Sequence, residues 1–165
     1  MESEEFHTVR GYQLLEQNKE LITPAMEDYL EMIYRYSIND GYMRINKLSR
    51  LLNVRAPSTS KMVQKLGSLG LLKYEKYGII VLSDKGREIG KLLFERHHII
   101  ENFLRIIGCE EDHILIQTEL IEHYLNADTV KNLKALNCFL ENSPEIADQY
   151  LEFRKSLPFD EIIVK

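Results

Sequence analysis

Two short amphipathic helices with barely four residues between them, followed at once by two β-rich runs, constrain this chain more than any other feature. Ile45, Leu48, Leu51 and Leu52 fall at helical spacing and predict a helix ending at Asn53. Ala56-Pro57 opens a second helix, with Met62, Val63, Leu66 and Leu69 inward and Gly70 as its stop. Only the stretch from Asn53 to Ala56 lies between them, which is the spacing of a helix-turn-helix. Leu71-Leu72-Lys73-Tyr74 and Ile79-Ile80-Val81-Leu82 then predict two strands joined by a turn at Lys76-Tyr77-Gly78. Helix, turn, helix and hairpin in that order make a winged helix-turn-helix with a two-stranded wing.

The flanks predict helices. Thr23 as N-cap and Pro24 at the first helical position start one that carries Met26, Tyr29, Leu30 and Ile33 on one face and ends near Asn39-Asp40-Gly41. Ser83 caps a long helix to about Ile107, with a stripe of Ile89, Leu92, Leu93, Ile100, Phe103, Leu104 and Ile107. Further helices are expected from Glu111 to Leu125, from an Asp128 cap, and from Ser143-Pro144 to about Arg154. The fold class is therefore mainly α. The expected division is an N-terminal extension (1–22), a winged helix-turn-helix domain (23–95), an all-helical domain (96–156) and a tail (157–165). Residues 1–20 are polar and predict a loosely attached helix or frayed arm.

Charge is segregated along the chain. The net charge is −5, yet Arg44 to Arg96 holds 12 Lys/Arg against 4 Asp/Glu, leaving 9 basic and 22 acidic residues elsewhere. A basic module between acidic flanks is the electrostatic footprint expected for a polyanion partner. The second helix of the motif should enter the major groove and read bases from its N-terminal end. Arg55, Pro57, Ser58, Thr59 and Ser60 crowd that end, where hydroxyls and backbone N–H groups can hold phosphate. Lys61 and Lys65 follow Ser58 along one face, and Lys76 and Tyr77 sit at the wing tip. No apolar run approaches the ~18 residues that span a bilayer, so no membrane role is expected. The acidic N-terminus is unlike a signal or transit peptide. Cys109 and Cys138 form no CxxC unit and predict reduced cysteines in or near a core, in a cytoplasmic protein.

Three segments carry acids or His at helical spacing. Asp28 and Glu31 lie at i, i+3 on the first helix, away from its apolar stripe. His97 takes a stripe position on the long helix, four after Leu93 and three before Ile100. Glu119, Glu122 and His123 fall within an arc of ~100° if one helix carries all three. Crowding carboxylates is unfavourable unless a cation or solvent relieves it. Spacing alone leaves each segment open between a metal site and ordinary solvated or core side chains.

Taken together, these residues resemble the diphtheria-toxin-repressor family of metal-dependent regulators, and most closely its manganese-responsive branch. The resemblance runs from about Thr23 to Leu140. It is carried by Thr-Pro-Ala-Met-Glu-Asp-Tyr-Leu-Glu (23–31), Lys-Met-Val-Gln-Lys-Leu (61–66), Tyr-Glu-Lys-Tyr (74–77), Phe-Leu-Arg-Ile-Ile-Gly (103–108) and Glu-Leu-Ile-Glu-His (119–123). It implies two adjacent Mn(II) ions per subunit, with ligand positions on Asp28, Glu31, His97, Glu119, Glu122 and His123. The iron branch has softer Met and Cys where this chain has Asp28 and Glu119, and carboxylates suit Mn(II). Glu101 corresponds to an ancillary ligand of the iron branch. The resemblance leaves no room for the SH3-like third domain of longer relatives, does not account for the first 20 residues, and adds a second histidine, His98. Pro57 is closer to the iron branch's recognition helix.

The implied function is repression of manganese-uptake genes by a homodimer on a palindromic operator, with metal shifting the population toward the DNA-competent form. The same fold answering to Fe(II), a metal-free regulator answering to a small molecule, and a carboxylate-bridged dimetal enzyme are the alternatives. The enzyme would need twin Glu-x-x-His motifs, and it leaves the basic module unexplained.

Overall fold

The computed structural model describes Leu15 and residues 21–158. The expected arm over residues 1–20 lies outside the described residues apart from Leu15, which packs against the first core. Of the expected tail, only residues 157 and 158 are described. The chain forms two compact units that divide after Glu95.

In the first unit, α1 (Pro24–Ser37) starts with Thr23 as N-cap and Pro24 inside the first turn. Its buried Met26, Tyr29, Leu30 and Ile33 recur at the i, i+3, i+4, i+7 spacing that puts them on one stripe. The strand β1 (Met43–Arg44) leads into α2 (Ile45–Leu51), and α3 (Ala56–Ser68) follows a turn in which Asn53 takes a positive φ of 52°. Leu48, Val63 and Leu66 are fully buried and lock the two helices to α1. The Ser49 hydroxyl donates to Thr59 Oγ1 at 2.9 Å, which in turn donates to the Arg55 carbonyl at 3.4 Å, so a buried polar pair also joins α2 to α3.

The wing is β2 (Leu72–Glu75) and β3 (Ile79–Leu82), joined by a tight turn with Tyr77 at φ 63° and Gly78 at φ 74°. The sheet has three strands rather than the expected two, in the order β1-β3-β2. Met43 pairs with Ile80 and Arg44 with Ile79, both antiparallel. A two-residue strand is too short to show the alternation that betrays a strand in sequence.

The helix α4 (Asp84–Ile106) begins where Ser83 ties it down. The Ser83 hydroxyl donates to the Gly70 carbonyl at 2.7 Å and accepts from Gly86 N–H at 3.1 Å, while Ser83 N–H donates to the Leu71 carbonyl at 3.0 Å. Ile89, Leu92 and Leu93 are buried in the first unit.

The second unit takes the end of α4 with α5 (Glu111–Ile121), a 3₁₀ turn (Glu122–Tyr124), α6 (Ala127–Glu141) and α7 (Pro144–Ser156). Its core is small: Ile100, Leu104 and Ile114, with Phe103, Ile107 and Leu133 packed on them. Three expectations are corrected here. The helix after Glu111 stops at Ile121, and its last residues tighten into the 3₁₀ turn common at helix ends. The cap of α6 is Asn126, whose Oδ1 accepts from Thr129 N–H at 2.8 Å, not Asp128, which lies inside the first turn. Cys138 is exposed, although Cys109 is half-buried as a near-core residue should be. Outside the core, Arg105 donates through two nitrogens to Glu111 at 2.8 and 3.1 Å. That hydrogen bond holds the Glu111 carboxyl below its ordinary range.

Gly86 illustrates how closely α4 approaches the chain that leaves α3. A Cβ there would stand 1.8 Å from the Leu71 carbonyl oxygen. Glycine to alanine inside a helix ordinarily stabilises by about 1 kcal/mol. Gly86→Ala should instead destabilise by about 3 kcal/mol, the upper end of overpacking costs, as measured by urea denaturation.

Candidate metal centre and nucleic-acid interface

The metal candidates of the second unit converge on His97. Its ring is 1% exposed, placed by α4 at the stripe position between the apolar residues Leu93 and Ile100. Nδ1 lies 3.1 Å from Glu122 Oε2 and 3.9 Å from Glu119 Oε1, while Nε2 lies 3.6 Å from Glu101 Oε1. Because a carboxylate only accepts, the shortest of these is His97 Nδ1–H donating to Glu122. The Glu122 carboxylate is itself 1% exposed. One of its oxygens, Oε1, is buried and accepts no hydrogen bond from the described residues. His123, on the same 3₁₀ turn, points Nε2 toward that oxygen at 3.9 Å and Nδ1 toward Arg96 Nη2 at 3.4 Å.

A buried carboxylate with an unsatisfied oxygen is costly, because the charge has lost its water without gaining full replacement. Around it stand two further carboxylates and two imidazoles, a set of oxygen and nitrogen donors without thiolate or thioether. Hard divalent cations fit that set, and a cation at Glu122 Oε1 would supply the missing partner. Glu119 is half-exposed, so a solvent path reaches this edge of the cluster. His98 is 52% exposed and contacts Glu101 through Nδ1 at 3.1 Å, away from Glu122.

In the first unit, Asp28 and Glu31 stand one turn apart on α1. Asp28 is half-buried, and Glu31 is only 6% exposed despite lying off the apolar stripe. Arg35 Nη2 donates to Glu31 Oε1 at 2.6 Å and lies over the Phe94 ring, its Cζ 5.2 Å from the centroid. Glu31 is thus a buried, partnered acid.

The same unit carries the nucleic-acid candidates. Arg55, Pro57, Ser58, Lys61 and Lys65 are exposed on α3, and Lys76 and Tyr77 are exposed at the wing tip, with Tyr77 reaching 90%. The start of α3 offers few amides of its own, since Pro57 has no N–H and the Ser58 and Thr59 amides donate to the Arg55 carbonyl at 3.0 and 3.1 Å, so a phosphate there would meet the side chains instead. Ser60 is half-buried. Thr59 is corrected: it is 0% exposed and spends its hydroxyl on the link to Ser49, so it supports the motif from inside. Gln64 is exposed beside Lys61 and Lys65 and was not anticipated, although its position three after Lys61 is the signal that marks it.

A family model described as "Iron dependent repressor, N-terminal DNA binding domain" matches residues 21–80, and one described as "Iron dependent repressor, metal binding and dimerisation domain" matches residues 83–150. The chain belongs to the iron dependent repressor family. Within it, similar proteins carry the name "HTH-type transcriptional regulator MntR". That of Lysinibacillus sphaericus is 42% identical over 75% of this chain and 89% of its own length. That of Shouchella clausii is 41% identical over 84% and 99%. Among solved structures, the manganese regulator SloR superposes with a TM-score of 0.61 at 31% identity, over 69% of this chain and 54% of its own. The metal-dependent transcriptional regulator MtsR gives 0.64 at 28% identity, over 71% and 55%. The chain thus spans about half the length of these solved repressors.

Membership of this family gives a role to apolar surface that the second unit leaves uncovered. Leu115, Ile116 and Leu120 on α5 are each more than half exposed, as are Phe139 on α6 and Phe153 on α7. Single apolar side chains at a surface are ordinary, but several on one small domain mark an interaction surface. No helix among the described residues is long and apolar enough to cross a membrane.

Glu122→Gln separates the cost of the buried charge from its use. Without metal, the variant should melt no lower than the wild type, because it removes an incompletely satisfied buried carboxylate. Added Mn(II) at a hundredfold excess over its Kd should stabilise the wild type by about 2.7 kcal/mol and the variant by far less, as read by calorimetry.

Proposed function

We propose that the chain is a Mn(II)-responsive transcriptional repressor of manganese-uptake and homeostasis genes, acting in the cytoplasm as a homodimer on palindromic double-stranded DNA. The observation that carries this is the buried Glu122 carboxylate beside buried His97, with one oxygen accepting no hydrogen bond from the described residues. Its ligands are Asp28, Glu31, His97, Glu119, Glu122 and His123, which hold two ions per subunit. Relatives named MntR and the manganese regulator SloR support the choice of metal, as does the all-oxygen-and-imidazole donor set. The protein is a regulator, not an enzyme.

When bound, the cation supplies positive charge that cancels the mutual repulsion of the carboxylates. Asp28 and Glu31 belong to the unit that carries the recognition helix α3, over residues 23–95. Glu119, Glu122 and His123 belong to the unit over residues 96–156. Metal occupancy favours the DNA-competent form to the extent of that form's differential affinity for metal. The exposed Leu115, Ile116 and Leu120 supply a two-fold interface, which presents two wings to half-sites an integral number of DNA turns apart. Arg55, Pro57, Ser58, Ser60, Lys61 and Lys65 face the major groove, and Lys76 and Tyr77 follow the backbone beside it.

A second reading, Fe(II) as the signal, is favoured by Glu101 standing 3.6 Å from His97 at the position of the iron branch's ancillary ligand. Operator binding discriminates between the two. With duplexes selected from a randomised pool, Mn(II) should tighten binding by about 5- to 150-fold over chelator, the usual range of allosteric coupling. Binding unchanged by chelator would remove metal from the mechanism. Asp28→Met and Glu119→Cys should move the preference toward Fe(II) or Co(II) under reducing conditions, and an unaltered preference in both would defeat the hard-ligand assignment.

Lys61→Ala or Lys65→Ala should weaken binding to the same duplexes. Where the lysine holds a phosphate, the slope of log K against log salt falls by about 1. Thr59→Val should lower the melting temperature and leave that slope unchanged.

A further inference from the structure

We propose that Thr118 is a positioning residue of the metal centre: its buried hydroxyl donates to the Glu122 carboxylate and sets the direction in which that carboxylate meets a cation. The proposal rests on the assignment of Glu122 as a ligand given above.

Thr118 lies on α5 and is 0% exposed, and Glu122 follows one turn later, equally buried. The α-helical pitch holds up to that point, because the Glu122 N–H still donates to the Thr118 carbonyl. The two side chains are therefore i, i+4 neighbours on the buried flank of one helix, a spacing that brings Cβ atoms to about 5–6 Å. The Thr118 hydroxyl has no hydrogen-bond partner among the described residues, and neither has Glu122 Oε1. A hydroxyl carries a donor and a carboxylate only acceptors, so each offers what the other lacks. The His123 Nε2 that faces Oε1 stands at 3.9 Å, beyond hydrogen-bond reach.

A threonine inside a helix ordinarily turns its hydroxyl to the carbonyl four residues back, as Thr59 does toward Arg55 at 3.4 Å. Thr118 does not. For packing alone a valine of the same shape would serve this position better, since it buries no unsatisfied hydroxyl. What lies on either side explains the threonine. One turn earlier α5 buries Ile114 in the apolar cluster with Ile100, and one turn later it sets Glu122 against His97. Thr118 stands at the step between the two, and only the second has a use for a donor.

Ligating carboxylates are commonly held by a further hydrogen bond that fixes their orientation. Glu122 Oε2 already accepts from His97 Nδ1–H at 3.1 Å. With Thr118 donating to Oε1, each oxygen has one protein donor and keeps a lone pair for a cation. Without that donor the carboxylate turns more readily about its terminal torsion, which is broad for glutamate.

The test counts unbound Mn(II) by electron paramagnetic resonance during titration of wild type, Thr118→Val, Thr118→Ala and Thr118→Ser. Valine keeps the shape and removes the donor, and should bind Mn(II) about 10- to 100-fold more weakly, the usual loss when a ligand's hydrogen-bond partner is removed. Serine keeps the hydroxyl and should recover most of that affinity. Melting in chelator should rank the two oppositely: valine no lower than wild type, serine lower because it loses a buried methyl. A purely structural role cannot place the less stable variant nearer to wild type in metal affinity. Valine that binds as wild type does, or serine that binds as weakly as valine, would overturn the proposal and leave the metal centre standing. If valine does not fold, alanine against serine makes the same comparison. A wild type that binds no Mn(II) would overturn the metal centre itself and the part of Thr118 with it.

Discussion

The contact between the buried His97 ring and the buried Glu122 carboxylate is the interaction on which the rest of the second unit turns. A carboxylate at 1% exposure has surrendered its water, and a single 3.1 Å hydrogen bond to one oxygen cannot replace it. Such a residue is tolerable in two ways: other stabilisation of the domain carries the cost, or a cation arrives. The core available to carry it is small: among the described residues its apolar cluster is built on Ile100, Leu104 and Ile114. Stability and ligand binding are therefore linked at one side chain. A cation that satisfies Glu122 Oε1 stabilises the domain by the same free energy with which the domain holds the cation.

The long helix α4 sets this up by interrupting its own stripe. Ile89 and Leu93 serve one apolar cluster, and Ile100 and Leu104 serve another. Between them Arg96 and His97 are buried polar residues on the same helix. Burying two nitrogen-rich side chains in succession is unfavourable for folding alone, which is why such interruptions tend to coincide with function. At the other end of the same helix, Ser83 and Gly86 fix its start against Gly70 and Leu71, at the close of the recognition helix. One helix thus carries both the anchor of the DNA-reading element and the centre of the candidate metal cluster.

Much of this was legible in the sequence because it depends on periodicity and caps. The helix-turn-helix, the hairpin, Gly70 as a stop and His97 as a stripe residue all follow from local chemistry. What escaped depends on neighbours distant in sequence. The strand Met43–Arg44 exists only because β3 is there to pair with it. Thr59 looked like a phosphate contact, as hydroxyls at a helix start do, but Ser49 from the preceding helix claims its hydroxyl. Glu119, Glu122 and His123 suggested one helical face, yet the helix tightens at Glu122, and a strict 100° step no longer locates the last two. Arg96 gave no signal, since an arginine in a basic stretch reads as solvated surface. No spacing rule joined these segments; the expectation that they form one metal centre came from the resemblance to a family.

The most direct test of the central claim is anomalous diffraction at the manganese absorption edge from crystals of the Mn(II)-loaded protein. The account predicts anomalous density within coordination distance of Glu122 and His97. Density confined to other side chains, such as the exposed His98, His113 or the acidic surface, would contradict it.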